Sequence, residues 1–551
     1  MIKDSQIARL EILTLSYKER SIFHYLLLAV ITLLAAGLRF YRLGEWSFWI
    51  EEHHSLRHTA ELNSLASIIQ SGRPLYYLIS KPALNYWGVS EWSARIVPAF
   101  LGIISVPLVY VLTKKLFGFI PAFLATLLLV ISPWHIYWSQ NARFYTLLLL
   151  LYTLSIFAFY WGVETDRFRY IVLSFIALAL AVISHAIAAL LVPIFLVYVL
   201  LLKMGPFEKP PGLRLRNIMP FVVLPLVGYL LYEAVLVLYM GSRPFIYEIY
   251  RLFFNEATAS FVGYGNPYVM VTAVVYRIGV PLAYLSLFGT YYLLRDKSRI
   301  GLCLVLGAYF PLAIFSVLTI FATTTSRYAF MSLPFWVILT AVGLTELYKR
   351  IQTDKRGLLW LLGLPIALYR DPAIEDIVYY LSHKSAFVLF FVFVVLLGLL
   401  GFGWYDRRRR MAKQTAVLLW LPVMLFILLA HPILVDELYF VYQGGYRDNW
   451  KAAAALIQEE KGATDIVVSA IPPMVNYYLD EDTLSIEKIN LNTILQNGNP
   501  VWLIEESGLE QSVDHNFAKW IKANCLLAGN WDHYVSGRIW KMRVYRCEPT
   551  G

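Results

Sequence analysis

Two adjacent carboxylates, Glu51 and Glu52, stand at the centre of the run YRLGEWSFWIEEHHSLRHTAELNSLASIIQSGRPLYY, residues 41–77. Trp46, Phe48 and Trp49 precede them, and His53 and His54 follow. A carboxylate positioned against a hydroxyl can act as a general base. Acids beside an aromatic belt therefore point to chemistry at a membrane surface. The pair has a plainer use as well, because acids are favourable in the first turn of a helix, with Ser47 or a following residue as its cap. A divalent metal held by His53 and His54 with the two glutamates is a third use. Adjacent helical residues point apart, however, and no HExxH spacing is present. No cofactor follows from these residues, and a divalent metal stays open.

The elements that must position this stretch are membrane spans. The chain of 551 residues is 59% hydrophobic and 15% charged, with mean hydropathy +0.59. Soluble domains carry about a quarter charged residues, and many segments here approach the ~20 apolar residues that cross a bilayer. The chain therefore reads as a mainly α, polytopic protein of the plasma (inner) membrane. Its net charge of +10 fits cytoplasmic loops, since lysine and arginine set orientation. No basic stripe with interleaved aromatics lies on a soluble segment, so nucleic acid is not an expected partner. The first apolar run has no small-residue cleavage site after it and reads as a retained span.

Residues 1–20 are read as a cytoplasmic segment and 21–435 as the transmembrane domain, with a first outer loop over 41–93. Spans are expected at about 22–40, 94–112, 120–137, 145–162, 170–183, 186–202, 218–240, 269–293, 301–321 and 328–347. With the N-terminus inside, Lys114/Lys115, Arg167/Arg169, 203–216, 295–299 and 349–356 all fall on the cytoplasmic side, as the positive-inside rule requires. Keeping Arg407 to Arg410 inside needs two more crossings, 357–369 and 386–404. A last span at 414–433 brings the count to about thirteen and delivers the C-terminus outside.

Residues 436–551 change character. A helical pattern after GGYRDNW precedes the strand DIVVSA; VWLIEE reads as a second strand, FAKWIKANC as a helix and WKMRVYRC as a last strand. This is a small extracytoplasmic α/β domain. Cys525 and Cys547 both lie in it, where the compartment permits a disulfide and where both can also stay reduced.

Sorted by this topology, the outer side carries Arg57, Arg73, Lys81, Arg95, Arg143, Arg243, Arg251 and Arg327. Orientation does not need that much positive charge there. Arginine forks donate two hydrogen bonds to phosphate oxygens, so together these residues point to an anionic substrate, although each alone can serve as an interfacial anchor. Glu233 sits at membrane depth, where a charge costs about 2.5–3.5 kcal/mol on insertion scales. It serves either in catalysis, as a residue of the cavity, or as a glutamate that reaches the interface or pairs with an arginine.

WSFWIEEHHSL, RPLYYLI, SEWSARIVPAFLGIISVPLVYVLTKKLFG and ISPWHIYWSQNARFYTLLLL occur in this order. Over residues 40–160 the chain thereby resembles the GT-C class of membrane glycosyltransferases, in the group of the lipid A aminoarabinose transferases and protein O-mannosyltransferases. RYAFMSLPFWVILTAVGL at 327–344 matches more loosely. The chain departs from the family pattern twice. The family's Asp-Glu pair is Glu51-Glu52, and the histidine and first proline of HPPLYY are Gly72 and Arg73.

The resemblance implies a sugar donor on a polyprenyl or dolichyl phosphate, an inverted glycoside product, and a lipid, glycan or protein acceptor. It implies Glu51 as the base, with Glu52 orienting the acceptor or supporting Glu51. Arg143 and Arg327, then Lys81 and Arg95, are the candidate ligands of the lipid phosphate. Tyr76, Tyr145, His135, Glu233 and Arg73 are further candidates for the cavity. A lipid or glycan transporter with an anionic headgroup site is the rival reading; it is expected to show inverted repeats or broken helices near the midplane, no such pairing is visible, and the polar groups cluster on one side. An oligosaccharyltransferase is expected to carry a WWDYG-type signature, for which GNWDHY at 529–534 is a poor substitute.

Overall fold

A computed structural model describes residues 17–64, 67–68, 71–240, 266–321, 324–353, 363, 366–367, 369–384, 431–486, 495, 498–506, 517–535 and 537–549. Each of the segments expected as the first ten spans is helical. Among the described residues seven helices are long and apolar enough to cross a membrane, or nine if each of two bent pairs forms one span. The expected spans 386–404 and 414–433, and most of 357–369, lie outside the described residues. Tyr145–Thr165 and Ser326–Arg350 are 83% and 89% buried, against 17% for Ile22–Phe40. These two therefore form the centre of the bundle. Close packing around them uses small residues, as in other membrane bundles. A Cβ on Gly289 would stand 2.1 Å from the Leu339 carbonyl, and one on Gly343 would stand 2.4 Å from that of Leu285.

Two expected spans are not continuous. Residues 119–139 break at Ile131-Ser132 into Phe119–Val130 and Pro133–Ser139, bent by 56°. Proline cannot continue the helical hydrogen bonding, and it sits at the first position of the new helix. Tyr268–Ile278 and Val280–Arg295 are bent by 100° at Gly279, whose φ of +95° is open to glycine. Unbroken hydropathy over 269–293 conceals that corner. Helix 168–184 is the shorter apolar piece of the bundle.

The C-terminal part holds a five-stranded sheet in the order β2-β1-β3-β7-β4, with β1 at Ile466–Ser469, β2 at Leu484–Ser485, β3 at Val501–Glu506, β4 at Cys525–Asn530 and β7 at Met542–Cys547. β1 runs parallel to β2 and β3, and β7 runs antiparallel to β3 and β4. Two short strands, β5 at His533–Val535 and β6 at Arg538–Trp540, pair separately. β4 and the Pro472–Leu479 helix had no counterpart in the sequence reading. Cys525 and Cys547 face each other across β4 and β7 and are joined as a disulfide.

The stretch after the first helix ties this domain to the bundle. Phe48, Leu84, Ala94 and Ala142 share one core with Trp450, Val467 and Trp502. Tyr478 donates to Glu91 Oε1 at 2.7 Å and accepts from Phe48 N at 2.7 Å, while Lys451 pairs with Glu91 at 3.1 Å. Residues 431–442 remain helical up to this junction, and Tyr439 and Phe440 pack on Trp46.

Candidate active site

The helix Ile50–Ala60 starts at the junction, with Trp49 as its N-cap residue. Ser47 does not cap it; its hydroxyl accepts from Lys451 N at 3.1 Å. Successive residues on a helix point about 100° apart, so Glu51 and Glu52 meet different surroundings.

Glu52 is fully buried. Arg95 holds it with a fork, Nε to Oε1 at 2.9 Å and Nη2 to Oε2 at 2.8 Å. Ala142 N donates to Oε1 at 2.7 Å, Trp49 N to Oε2 at 3.4 Å, and Arg447 Nε stands 3.6 Å from Oε2. Burial alone would raise this carboxyl. The charge and hydrogen bonds of Arg95, with Arg447 and the Ala142 amide, outweigh it and hold the group below the usual carboxylate range. Arg95 spends its remaining donors on the carbonyls of Leu43, Trp46 and Ser47. All five N–H groups of Arg95 are thereby used. The expectation that Arg95 binds phosphate is corrected: it is the clip that fixes the loop around Glu52.

Glu51 is a quarter exposed and pairs with Arg327 through Oε1 at 2.5 Å, while its Oε2 has no hydrogen-bond partner. Arg143 donates to the Glu51 backbone carbonyl at 2.8 Å and to Ser55 Oγ at 3.0 Å. Arg73, at the N-cap of Pro74–Trp87, lies over the Phe144 ring at 4.9 Å, and Arg143 lies over the same ring at 5.5 Å. The charges of Arg73, Arg143 and Arg327 all act on Tyr145 and on His185, which stacks on Phe144 at 4.4 Å. Arg327 thus pairs with the Glu51 carboxylate, Arg143 holds its backbone carbonyl, and Arg73 shares the Phe144 ring with Arg143. Arg143 and Arg327 each keep a buried Nε–H without a partner. Such donors ask for an anion with oxygens to accept from them.

The turn that carries Ala142 and Arg143 is aimed by the break before Pro133, which returns residues 140–143 to the Glu52 helix. Gln140 anchors that turn through donations to the carbonyls of Arg39 and Tyr41 at 3.1 and 2.7 Å. Gly72 has φ +68°, a left-handed conformation in which a histidine would be strained. This gives the glycine in place of the family's histidine a backbone cause, and the next residue, Arg73, reaches the Phe144 ring that Arg143 also covers.

The other candidates divide. Tyr76 is buried within the fields of Arg143 and Glu52. Lys81 is drawn away, donating to the Leu62 carbonyl at 2.7 Å and to Asn63 at 3.4 Å. His135 is a core residue, bonded to Arg39, Ser105 and Ser139 at 2.8, 3.0 and 3.2 Å. Glu233 hydrogen-bonds with Tyr229 on its own helix. His53 contacts Tyr477 of the C-terminal domain ring to ring at 5.8 Å. Burial, with Arg57 and Arg143, keeps His54 below the usual histidine range against the opposing pull of Glu51. Among the described residues no group of three His, Cys, Asp or Glu side chains is placed to hold a metal ion.

Arg447 was missed by sequence reasoning. It is buried, donates to Tyr137 Oη at 3.2 Å and to Asn141 Oδ1, and lies over the rings of Tyr137 at 5.0 Å and Trp49 at 5.5 Å. It comes from the segment GGYRDNW, so the C-terminal domain contributes directly to the Glu52 clip. Nothing in that segment's composition or periodicity distinguishes Arg447 from a solvated loop arginine.

The helical bundle with an α/β domain docked on it is the fold expected from the resemblance to membrane glycosyltransferases. Residues 73–229 match the family model described as dolichyl-phosphate-mannose-protein mannosyltransferase. The fold is similar to that of ArnT from Cupriavidus metallidurans in the apo state, with TM-score 0.58 and 15% identity over 96% of this chain and 98% of that one. The same protein bound to undecaprenyl phosphate gives TM-score 0.56 at 15% identity over 95% and 98%. The Archaeoglobus fulgidus oligosaccharyltransferase is also similar, with TM-score 0.51 and 11% identity over 88% of this chain and 70% of that one. No curated protein matches the chain significantly.

Proposed function

We propose that this protein transfers a sugar from a polyprenyl- or dolichyl-phosphate carrier to a hydroxyl of a lipid, glycan or protein, at the outer face of the membrane and with inversion. The observation that carries the reading is the Glu51 carboxylate, paired with Arg327 through one oxygen and without a hydrogen bond on the other, beside Arg143, which holds the Glu51 backbone carbonyl. The family match over 73–229 and the fold shared with a protein that binds undecaprenyl phosphate support it.

The chemistry follows from charge. The acceptor oxygen attacks the anomeric carbon as the bond from that carbon to the phosphate oxygen breaks. The electron pair leaves on the lipid phosphate, whose negative charge the arginines stabilise, so no strong general acid is needed. The acceptor proton passes to Glu51. Arg327 pairs with Glu51. An arriving phosphate competes for that guanidinium and frees the carboxylate for the acceptor. Glu52, closed off by Arg95, holds the helix in place.

The test is product balance in liposomes carrying the purified protein, a polyprenyl-phosphate hexose and candidate acceptors. Glycoside formed in equal amount with free polyprenyl phosphate supports transfer. Movement of the intact lipid between leaflets without release of free lipid phosphate supports the transporter reading instead.

A further inference from the structure

The corner at Gly279 opens a cavity of about 380 Å³, within the range of small-molecule sites. Ser326, the residue before Arg327, lines it, but Glu51 and the three arginines of the cluster do not. Its apolar surface combines four aromatic rings, Trp134, Tyr137, Tyr276 and Tyr446, with aliphatic side chains such as Leu282 and Val435.

Its polar groups are fixed, and two of them are incompletely used. Asp371 accepts from Val280 N at 2.9 Å, which holds the corner, and faces His431 Nε2 at 3.4 Å. That Nε2 makes no hydrogen bond. Gln443 is fully buried; its Nε2 donates to Asp376 at 2.9 Å and to the Tyr534 carbonyl at 3.0 Å, which orients the amide. Its Oε1 is left without a partner. An orphaned buried acceptor is costly, and a ligand donor removes that cost.

The lining selects the ligand's chemistry. Asp371 and Asp376 are set against a single exposed arginine, Arg277, so the cavity does not favour a phosphate as the Glu51 cluster does. Aromatic faces for C–H surfaces, with carboxylate, amide and imidazole groups for hydroxyls, suit a polyol ring. We propose that this cavity is a subsite for an uncharged, hydroxylated sugar ring. The ring belongs either to an acceptor glycan or to the donor. The assignment rests on the proposed transfer reaction for its purpose, and on the lining residues for its chemistry.

Saturation-transfer NMR on the full-length protein in nanodiscs tests it, with the methyl α-pyranosides of mannose, glucose and galactose as probes. At least one should give a saturable signal. Gln443→Leu and Tyr276→Ala should each weaken it by about fivefold or more, the loss of one hydrogen bond or ring contact. Tyr276 is 46% exposed, so its truncation keeps the test valid should the Gln443 variant misfold. Glu51→Gln should bind the glycoside as the wild type does even where it abolishes transfer, which separates failure of this assignment from failure of the proposed reaction. Displacement of the glycoside by a polyprenyl-phosphate mannose assigns the ring to the donor, and persistence assigns it to the acceptor. The assignment is overturned if none of the three glycosides binds, if both cavity variants bind like wild type, or if inorganic phosphate occupies the cavity with the same sensitivity to those variants.

Discussion

Replacing Glu52 with glutamine should unfold this protein far more readily than the same change one residue earlier. A glutamine keeps the shape and turns one acceptor oxygen into an NH2 group. Oε1 receives Arg95 Nε at 2.9 Å and Ala142 N at 2.7 Å; Oε2 receives Arg95 Nη2 at 2.8 Å and Trp49 N at 3.4 Å, with Arg447 at 3.6 Å. Whichever way the amide turns, donors face donors. Two guanidiniums, each no more than 4% exposed, also lose their counter-ion. Removing one partner of a buried, hydrogen-bonded pair costs about 3–5 kcal/mol. Glu51 and Arg327 are 23% and 25% exposed, so breaking their partly screened pair costs less than breaking the closed Glu52 pair. Thermal melting of detergent-solubilised Glu52→Gln and Glu51→Gln should therefore separate them clearly, with the first the more destabilised. In the double variant Glu52→Gln/Arg95→Gln the loss should be smaller than the sum of the single losses, because the two residues act as one unit. Equal melting of Glu52→Gln and wild type would refute the argument that Glu52 is a structural carboxylate.

Burial and the neighbouring Glu506, partly offset by Arg447, raise the Asp448 carboxyl to about 7. The fold thus favours its protonated form. That contribution is complete below the carboxylate range near pH 4 and is lost as pH rises through about 7. Asp448→Asn should accordingly raise the melting temperature at pH 8 and leave it unchanged at pH 4, as measured by scanning fluorimetry. The Cys525–Cys547 bridge closes a loop of sequence separation 22, a constraint of about 3 kcal/mol on the unfolded chain. Cys525→Ser should speed amide exchange in β4 and β7 while exchange in the bundle helices stays as in wild type.

Much of the bundle is legible in the chain because apolar length is a one-dimensional signal. Spans such as Glu91–Phe117 and Tyr145–Thr165 need no partner to be recognised. The corner at Gly279 is not legible, since hydropathy runs through it unbroken. In the C-terminal domain VWLIEE is fully buried and reads as a strand, whereas β4, CLLAGN, is mostly exposed and follows its helix without a turn signal. At the site, residue type located the paired acids and the surplus of arginines but did not show what each arginine faces. Arg95 and Arg143 both read as phosphate ligands. Arg95 proves to be used up by Glu52 and three carbonyls, and Arg143 keeps a free N–H. Arg447 approaches Glu52 from the other end of the chain, a pairing that only the folded domain junction creates. The adjacent glutamates separate in role because a helix turns by about 100° between them, one toward a closed core and one toward an open arginine cluster.

The proposed role of Glu51 is to take the proton from the acceptor. Its most direct test is the rate of sugar transfer by Glu51→Gln in liposomes, measured beside binding of polyprenyl phosphate to the same preparation. General-base catalysis contributes about 10²–10⁴-fold, so transfer should fall by at least about 100-fold. Melting should fall by less than in Glu52→Gln, and lipid-phosphate binding should be equal or tighter because Arg327 is released. Transfer within a few-fold of wild type would contradict the claim.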